Sequence, residues 1–211
     1  MKLIAFDFDG TLLDSMGMWN NLSGDFVRSY GHEFTRELAD KLVPMSLEMS
    51  VDFFINDLGF DTTPEEIFKE LDEKVMVGYA KTLELVDGAI ETLEACRKEG
   101  YPMVLATATN RKYVDTALDR LKLGHFFKEV FTADELGYPK TDPMFYKEFA
   151  RIMDRPLDEI IFVDDSAYNL ETASRLGIET IGIKEENNKT TWAKIDEVSD
   201  QSIHNLRDWQ R

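Results

Sequence analysis

Apolar residues recur with two different spacings along this chain. Short apolar runs typical of buried strands lie at residues 3–6, 101–106, 130–132, 160–163 and 179–183. From Asp87 onward, these runs alternate with segments whose apolar residues recur every three or four positions, which predicts helices. Gly100, Gly124 and Gly177 are expected to end three of them. This alternation predicts an α/β fold, with a Rossmann-like parallel sheet and helices on both faces.

Residues 15–82 interrupt the alternation. Their apolar residues recur at helical spacing throughout, and Thr63-Pro64-Glu65-Glu66 has the cap, proline and early acids of a helix start. The segment shows no strand pattern and is too long for a connection within a compact domain. We therefore expect a small all-α domain at 15–82, inserted into a core formed by 1–14 and 83–211.

The last part of the chain, 184–211, is polar. The pattern favours a short terminal helix near Ile203–Trp209 and makes 179–183 the last strand. We expect no chemistry from this segment.

Composition narrows the classes of partner. The 211 residues are 43% hydrophobic and carry a net charge of −17, which argues against nucleic acid and anionic membranes as partners. A phosphate site on such a chain must supply its own local cations. The single cysteine, Cys96, fits a reducing compartment and is expected in the core. With no leader pattern and no long apolar run, we expect a cytoplasmic protein. We also expect a monomer or weak dimer.

Polar residues stand where the predicted strands end. They are Asp7 and Asp9 after the first strand, Thr107 after the second, and Asp164 and Asp165 after the fourth. The carboxyl ends of parallel strands share one edge of a sheet, where ligands bind. Clustered carboxylates need a cation among them, and oxygen ligands without histidine or cysteine indicate Mg²⁺. Lys140, in a loop after another strand, could bring a positive charge to this edge.

These residues resemble the four motifs of the haloacid dehalogenase superfamily in order and spacing. The motifs are Asp7-Phe-Asp-Gly-Thr11, Thr107, Lys140 followed three residues later by Pro143, and Asp164-Asp165-Ser166. The resemblance covers nearly the whole chain. The inserted helical segment resembles the small cap domain of that superfamily, which covers the site and helps to select the substrate.

The resemblance implies phosphoryl transfer through a covalent intermediate. Asp7 would attack phosphorus and become an aspartyl-phosphate, which divides one difficult step into two. Asp9 would protonate the leaving oxygen and then activate water. Thr107 and Lys140 would stabilise charge on the phosphoryl oxygens.

The resemblance also implies the binding residues. Mg²⁺ would be held by the Asp7 carboxylate, the Asp9 backbone carbonyl and Asp165, with Asp164 assisting directly or through water. Gly10 and Ala108 would join Thr107 and Lys140 around the phosphate. Asn169 stands where many relatives carry another acid, so its role is an open question.

Several readings of the function remain open. Asp9 argues against a true dehalogenase, whose leaving halide needs no proton. A phosphosugar mutase of the β-phosphoglucomutase kind would carry a histidine and an arginine where this chain has Trp19 and Leu47. We therefore expect a phosphatase acting on a small phosphorylated metabolite. The alternatives are that mutase or a non-catalytic phosphate- or partner-binding protein.

Two residues are candidates for substrate contact. Trp19, in the apolar stretch Met16-Gly-Met18-Trp19, could receive an apolar leaving group or could simply pack within the cap. Arg111, just beyond Thr107, could contact the substrate or could be a solvated residue at a helix start.

Overall fold

The structure is a computed structural model that describes residues 1–42, 45 and 47–209, with residues 47 and 48 described by their backbone alone. The chain divides into two compact units, Met1–Asp14 with Leu83–Arg211 and Ser15–Thr82. The division falls at the same residues as the one expected from the sequence. The role of the second unit as a cap stays a prediction.

The first unit is built on six strands. They are β1 (Leu3–Phe6), β2 (Met103–Thr107), β3 (Val130–Thr132), β4 (Ile160–Asp164), β5 (Glu179–Ile183) and β6 (Gln201–Ile203). All pair in parallel, in the order β3-β2-β1-β4-β5-β6. Ile4 of β1 lies opposite Met103 on one side and Ile161 on the other. The α/β prediction is confirmed, and the central place of β1 explains why every one of its residues is apolar and buried.

In chain order, the α-helices of the described residues are α1 (Met16–Ser29), α2 (Arg36–Leu42), α3 (Leu47–Asn56), α4 (Pro64–Val77), α5 (Ala89–Glu99), α6 (Arg111–Leu121), α7 (Ala133–Leu136), α8 (Pro143–Ile152), α9 (Ala167–Arg175) and α10 (Trp192–Val198). Helices α1–α4 belong to the second unit, and α5–α10 alternate with the strands along the sequence of the first. Among the residues that the structure describes, no helix is both long enough and apolar enough to cross a bilayer.

The main core of the first unit lies between the sheet and its helices. Phe145, Tyr146 and Phe149 of α8 are buried there with Phe162 of β4, and Tyr146 meets Phe162 edge to face at 5.2 Å. This packing fixes α8, and therefore the loop before it, against the strand that ends in Asp164. Cys96 of α5 is buried, as expected.

The second unit has its own apolar core, shared by four helices. Its buried residues are Phe26, Val27, Leu38, Leu42, Val51, Phe54, Phe60, Ile67 and Leu71. Helix α4 begins as the sequence indicated: Thr63 accepts a hydrogen bond from the Glu66 backbone N–H, and the Glu66 carboxylate accepts one from the Thr63 backbone N–H. The described residues of this unit include no strand, in agreement with the predicted all-α insert.

The prediction for the end of the chain was wrong. Residues 179–183 are not the last strand, because Gln201–Ile203 forms β6, and within 203–209 only Leu206–Asp208 is helical, as a short 3₁₀ turn. Helix α10 precedes this strand, where none was predicted. Ile203 is buried opposite Ile183, and Trp209 packs edge to face on Phe6 at 6.1 Å. Burial against the sheet outweighed the weak helical spacing of these residues.

One predicted helix end was also misplaced. Helix α6 ends at Leu121, and Lys122 takes the left-handed conformation with φ of 58° at its C-terminus. Gly124 begins a separate 3₁₀ turn instead. A lysine in this conformation gives no signal in the sequence, whereas the nearby glycine does.

Candidate active site

Three buried carboxylates meet where two neighbouring strands end. Asp7 follows β1, Asp164 ends β4 and Asp165 comes next. Their exposed fractions are 6%, 0% and 8%, and one oxygen atom of each lies within 4.8 Å of the other two. The Asp7 N–H donates to the Val163 carbonyl at 2.8 Å, so the β1–β4 ladder continues as far as this acid. The predicted convergence of these carboxylates is therefore present in the structure.

Lys140 joins this cluster. Its side chain is only 3% exposed, and its Nζ lies 2.7 Å from Asp7 Oδ1 and 2.5 Å from Asp164 Oδ2. The loop that carries it is fixed by Asp142, whose carboxylate caps α8 by accepting from the Met144 N–H at 2.8 Å. The lysine is therefore held by the start of α8 at the ends of β1 and β4.

The pKa values of these groups reflect burial and mutual repulsion. Burial raises the pKa of Asp7 to about 7, while Lys140 acts to lower it and Asp164 acts to raise it. Burial and the carboxylates of Asp164 and Asp7 raise the pKa of Asp165 well above its ordinary value. Burial alone would lower the pKa of Lys140, but its ion pairs with Asp164 and Asp7 outweigh that effect and raise it. The cluster therefore contains a charged ammonium, and Asp7 and Asp165 lose their protons less readily than ordinary aspartates do.

The donor set fits a divalent cation. When all three carboxylates are ionised, one ammonium leaves two negative charges buried among them. The available ligand atoms are carboxylate oxygens, which Mg²⁺ prefers, and Asp165 is the member of the cluster that shows no ion pair with Lys140. Asp7, Asp164 and Asp165 are thus the residues that could hold such an ion.

Two neighbours orient the Asp164 carboxylate. It accepts from the Ser166 backbone N–H at 2.7 Å and from Asn169 Nδ2 at 3.3 Å. The backbone carbonyl of Asn169 accepts in turn from the Tyr146 hydroxyl at 3.0 Å. The open question about Asn169 thus has a structural answer, because an amide here can donate to Asp164 where another acid would repel it.

The turn after β1 carries the other motif residues. Gly10 has a φ of 76°, a conformation that favours glycine, and its N–H donates to the Leu13 carbonyl at 2.9 Å. Asp9 Oδ2 accepts from Thr109 Oγ1 at 2.5 Å. Thr107 is buried at the end of β2, which pairs with β1, and its Oγ1 accepts from the Thr109 N–H at 3.1 Å. The turn after β1 is thereby tied to the loop after β2.

The comparison with known families agrees with this arrangement. The family model described as haloacid dehalogenase-like hydrolase matches residues 4–183. The chain belongs to this family. The resemblance inferred from the motifs is therefore confirmed.

Relatives of this haloacid dehalogenase-like hydrolase are named as phosphatases. A phosphoglycolate phosphatase from Pseudomonas fluorescens is 26% identical over 187 residues, covering 86% of this chain and 69% of the relative. A phosphorylated carbohydrates phosphatase from Thermotoga maritima is 24% identical over 181 residues, covering 86% of this chain and 84% of the relative.

Solved structures share the fold. The crystal structure of CbbY from Rhodobacter sphaeroides in complex with phosphate has a TM-score of 0.81 at 18% identity, covering 99% of this chain and 96% of that one. A β-phosphoglucomutase-like protein from Thermotoga maritima has a TM-score of 0.77 at 22% identity, with the same coverage. At these identities the likeness establishes the fold alone.

Some predicted site residues of the hydrolase are not part of the carboxylate cluster. Ala108 is exposed between the two threonines. The Arg111 guanidinium contacts Asp115 at 2.8 Å and Glu135 at 3.3 Å, which favours the alternative of a surface role at the start of α6. Trp19 lies in α1 of the second unit, where its Nε1 donates to the Tyr79 hydroxyl at 3.3 Å. The side chain of Leu47 lies outside the described residues, and substrate contact by Trp19 or Arg111 stays a prediction.

Two polar residues near the site were not predicted from the sequence. Asn188, in the segment from which we expected no chemistry, donates from Nδ2 to the carbonyls of Asp165 and Ile183, both at 2.9 Å. Its Oδ1 accepts from the Glu185 N–H and from Trp192 Nε1, also at 2.9 Å. Thr109, which contacts Asp9 and Thr107, is the other residue that was not predicted. A single asparagine or threonine in a polar stretch carries no pattern that marks it as a tether.

Proposed function

We propose that this chain is a Mg²⁺-dependent phosphatase that hydrolyses a small phosphate monoester through an aspartyl-phosphate intermediate. The observation that carries the proposal is the buried Lys140 paired with Asp7 and Asp164, with Asp165 beside them. A buried ammonium among carboxylates at the end of a central strand is a suitable place to bind and neutralise a phosphoryl group. The names of the relatives support the same reaction class.

The chemistry has two halves. In the first, an Asp7 oxygen attacks phosphorus, the bond to the leaving oxygen breaks, and Asp9 gives that oxygen a proton. In the second, Asp9 removes a proton from a water molecule, whose oxygen attacks the same phosphorus. Inorganic phosphate leaves, and Asp7 returns to its carboxylate form. Each half therefore balances with Asp9 as the single proton carrier.

The surrounding residues bind the charged group through both halves. Lys140 and the Thr107 hydroxyl would face the phosphoryl oxygens, with the backbone of Ala108 beside them, and the lack of a side chain at Gly10 would let the chain approach the phosphate closely. The carboxylates of Asp7, Asp164 and Asp165 and the backbone carbonyl of Asp9 would hold Mg²⁺. The ion would supply positive charge that offsets the repulsion between the carboxylates and the incoming phosphate.

The names of the relatives guide the choice of substrates. One set of relatives acts, by name, on phosphoglycolate and another on phosphorylated carbohydrates. We therefore propose small phosphorylated acids and sugars as the substrate class.

The test is release of inorganic phosphate from phosphoglycolate, sugar phosphates, nucleotides and p-nitrophenyl phosphate, with Mg²⁺ or with EDTA. Turnover should require Mg²⁺. Asp7→Asn should abolish turnover without changing the thermal unfolding midpoint by more than a few degrees. Asp158→Asn, at an exposed carboxylate before β4, is the matched control and should remain active.

Other outcomes would point elsewhere. Intact-mass analysis after a rapid quench should detect one added phosphoryl group on the wild-type chain and none on Asp7→Asn. Conversion of glucose 1-phosphate to glucose 6-phosphate without phosphate release would favour the mutase. Lack of turnover across the whole panel, with phosphate still bound, would favour a non-catalytic binding protein.

A further inference from the structure

A hydroxyl group contacts the carboxylate of Asp9 from another part of the chain. Thr109 Oγ1 donates to Asp9 Oδ2 at 2.5 Å, although the two residues are 100 positions apart. The contact lies within the first unit, on the loop between β2 and α6. A hydroxyl that donates to a carboxylate makes a charge-assisted hydrogen bond, which is stronger than a bond between neutral groups.

Thr109 is itself held at both ends. Its backbone N–H donates to Thr107 Oγ1 at 3.1 Å, and Thr107 ends β2. On the other side, Asn110 caps α6 by accepting from the Lys112 N–H at 3.2 Å and donates to Asp134 Oδ2 at 3.1 Å. The hydroxyl of Thr109 is therefore presented to Asp9 from a braced loop.

A carboxylate on a turn can rotate about its side-chain bonds, and a general acid must hold one oxygen within reach of the leaving group. A bond from Thr109 to Oδ2 restricts this rotation. We propose that Thr109 is a positioning residue that orients Asp9 for proton transfer. The inference rests on the proposed function, in which Asp9 is the acid and the base.

The experiment compares two leaving groups in the full-length protein with Mg²⁺. An alkoxide leaving group, as in phosphoglycolate, needs a proton when its bond to phosphorus breaks, whereas p-nitrophenolate leaves without one. The kcat/KM value reports the steps up to transfer onto Asp7 for both substrates. Thr109→Val should lower kcat/KM for the alkyl phosphate by about tenfold and leave that for p-nitrophenyl phosphate within about twofold.

The same variant should lower kcat for both substrates wherever hydrolysis of the phosphoenzyme limits turnover, because Asp9 then acts as the base. Thr109→Ser, which keeps the hydroxyl, should restore the alkyl phosphate activity to within about threefold of wild type. Thr116→Val removes a hydroxyl that donates to the Lys112 carbonyl on α6 and serves as the matched control. It should leave both kcat/KM values unchanged.

If Thr109→Val only disturbed the shape of the loop, kcat/KM would fall equally for both substrates. Thr109→Ser would then show the same loss only if serine also disturbed the loop. Equal loss for the two leaving groups in Thr109→Val, or no loss for either, overturns the inference while the proposed function stands. A wild-type protein that releases phosphate from neither substrate overturns the proposed function, and this inference with it.

Discussion

Replacement of Lys140 by methionine tests the electrostatic basis of the site most directly. Methionine has a similar length and no charge, so the change removes the ammonium and leaves the packing of the buried stem largely in place. The carboxylates of Asp7, Asp164 and Asp165 would then lie together without a cation. In a metal-free protein, this arrangement should be strongly unfavourable at neutral and alkaline pH.

The magnitude follows from the contacts. At 2.7 and 2.5 Å, and with an effective dielectric constant of about 20, each ion pair of Lys140 contributes about 6 kcal/mol of Coulomb attraction. Removing the ammonium from water costs several kcal/mol, and this cost offsets part of that attraction. Loss of one partner from a buried pair typically destabilises a protein by about 3–5 kcal/mol. For a chain of this length, the unfolding midpoint should fall by about 6–20 °C.

The effect should depend on pH. The pKa of Asp7 is raised to about 7 in the folded protein, above its ordinary value near 4. Between these values the folded state binds more protons than the unfolded state, so the free energy of unfolding falls as pH rises. Without Lys140 this fall should be steeper. At pH 5 the carboxylates can take up protons, and the difference between Lys140→Met and wild type should be smallest there.

The assay is thermal and urea unfolding of both proteins at pH 5 and pH 8, in EDTA and in Mg²⁺. Mg²⁺ should recover part of the lost stability at pH 8, because it replaces the missing positive charge. Phosphatase kcat/KM should fall by about 10²–10³-fold even where Mg²⁺ is saturating. Lys147→Met, at an exposed position on α8, is the matched control and should change neither quantity. Equal unfolding midpoints for Lys140→Met and wild type at pH 8 in EDTA would refute the reasoning.

Three further predictions concern residues around the site and the sheet. Asn188→Ala removes the hydrogen bonds to the carbonyls of Asp165 and Ile183. It should weaken Mg²⁺ binding by about tenfold in a titration followed by thermal shift, and unchanged affinity would contradict this. Burial raises the pKa of Glu185, so its ionised form opposes folding above that pKa. Glu185→Gln should therefore raise the unfolding midpoint slightly at pH 8 and not at pH 4. Glu186→Gln, at an exposed position, should have no such effect. Gly182→Ala would place a Cβ into a side chain of α10 and should cost about 1–3 kcal/mol in urea unfolding; stability equal to that of wild type would show that α10 can shift.

The strands that carry the site could be predicted from the sequence because they are buried on both faces. Residues 3–6 and 160–163 are continuous apolar runs, and each is followed by acids that are out of place in a core. An acid directly after a buried apolar run can be recognised from the order of residues alone. The strand order, with β1 between β2 and β4, was the further fact needed to bring Asp7, Asp164 and Asp165 together.

Strand β6 could not be predicted because its stability comes from its neighbours. Three residues with one buried isoleucine contain too little pattern to separate strand from helix. Pairing with β5 supplies the missing hydrogen bonds, and these exist only once β5 is in place. Local spacing predicted a short helix near Ile203–Trp209, and only the 3₁₀ turn Leu206–Asp208 is present there, next to a strand that the spacing did not indicate.

The amino-acid sequence alone determined the alternation of strands and helices, the helical insert and the residue types that gather at the end of β1. Burial leaves a periodic pattern of apolar residues, and acids that follow an apolar run stand out against that pattern. Only the tertiary structure decided that Lys140 bridges Asp7 and Asp164, that Thr109 reaches Asp9, and that Asn188 supports the chain at Asp165. Hydrogen bonds and ion pairs depend on ångström distances between residues far apart in sequence, and such distances follow from packing rather than from any local pattern.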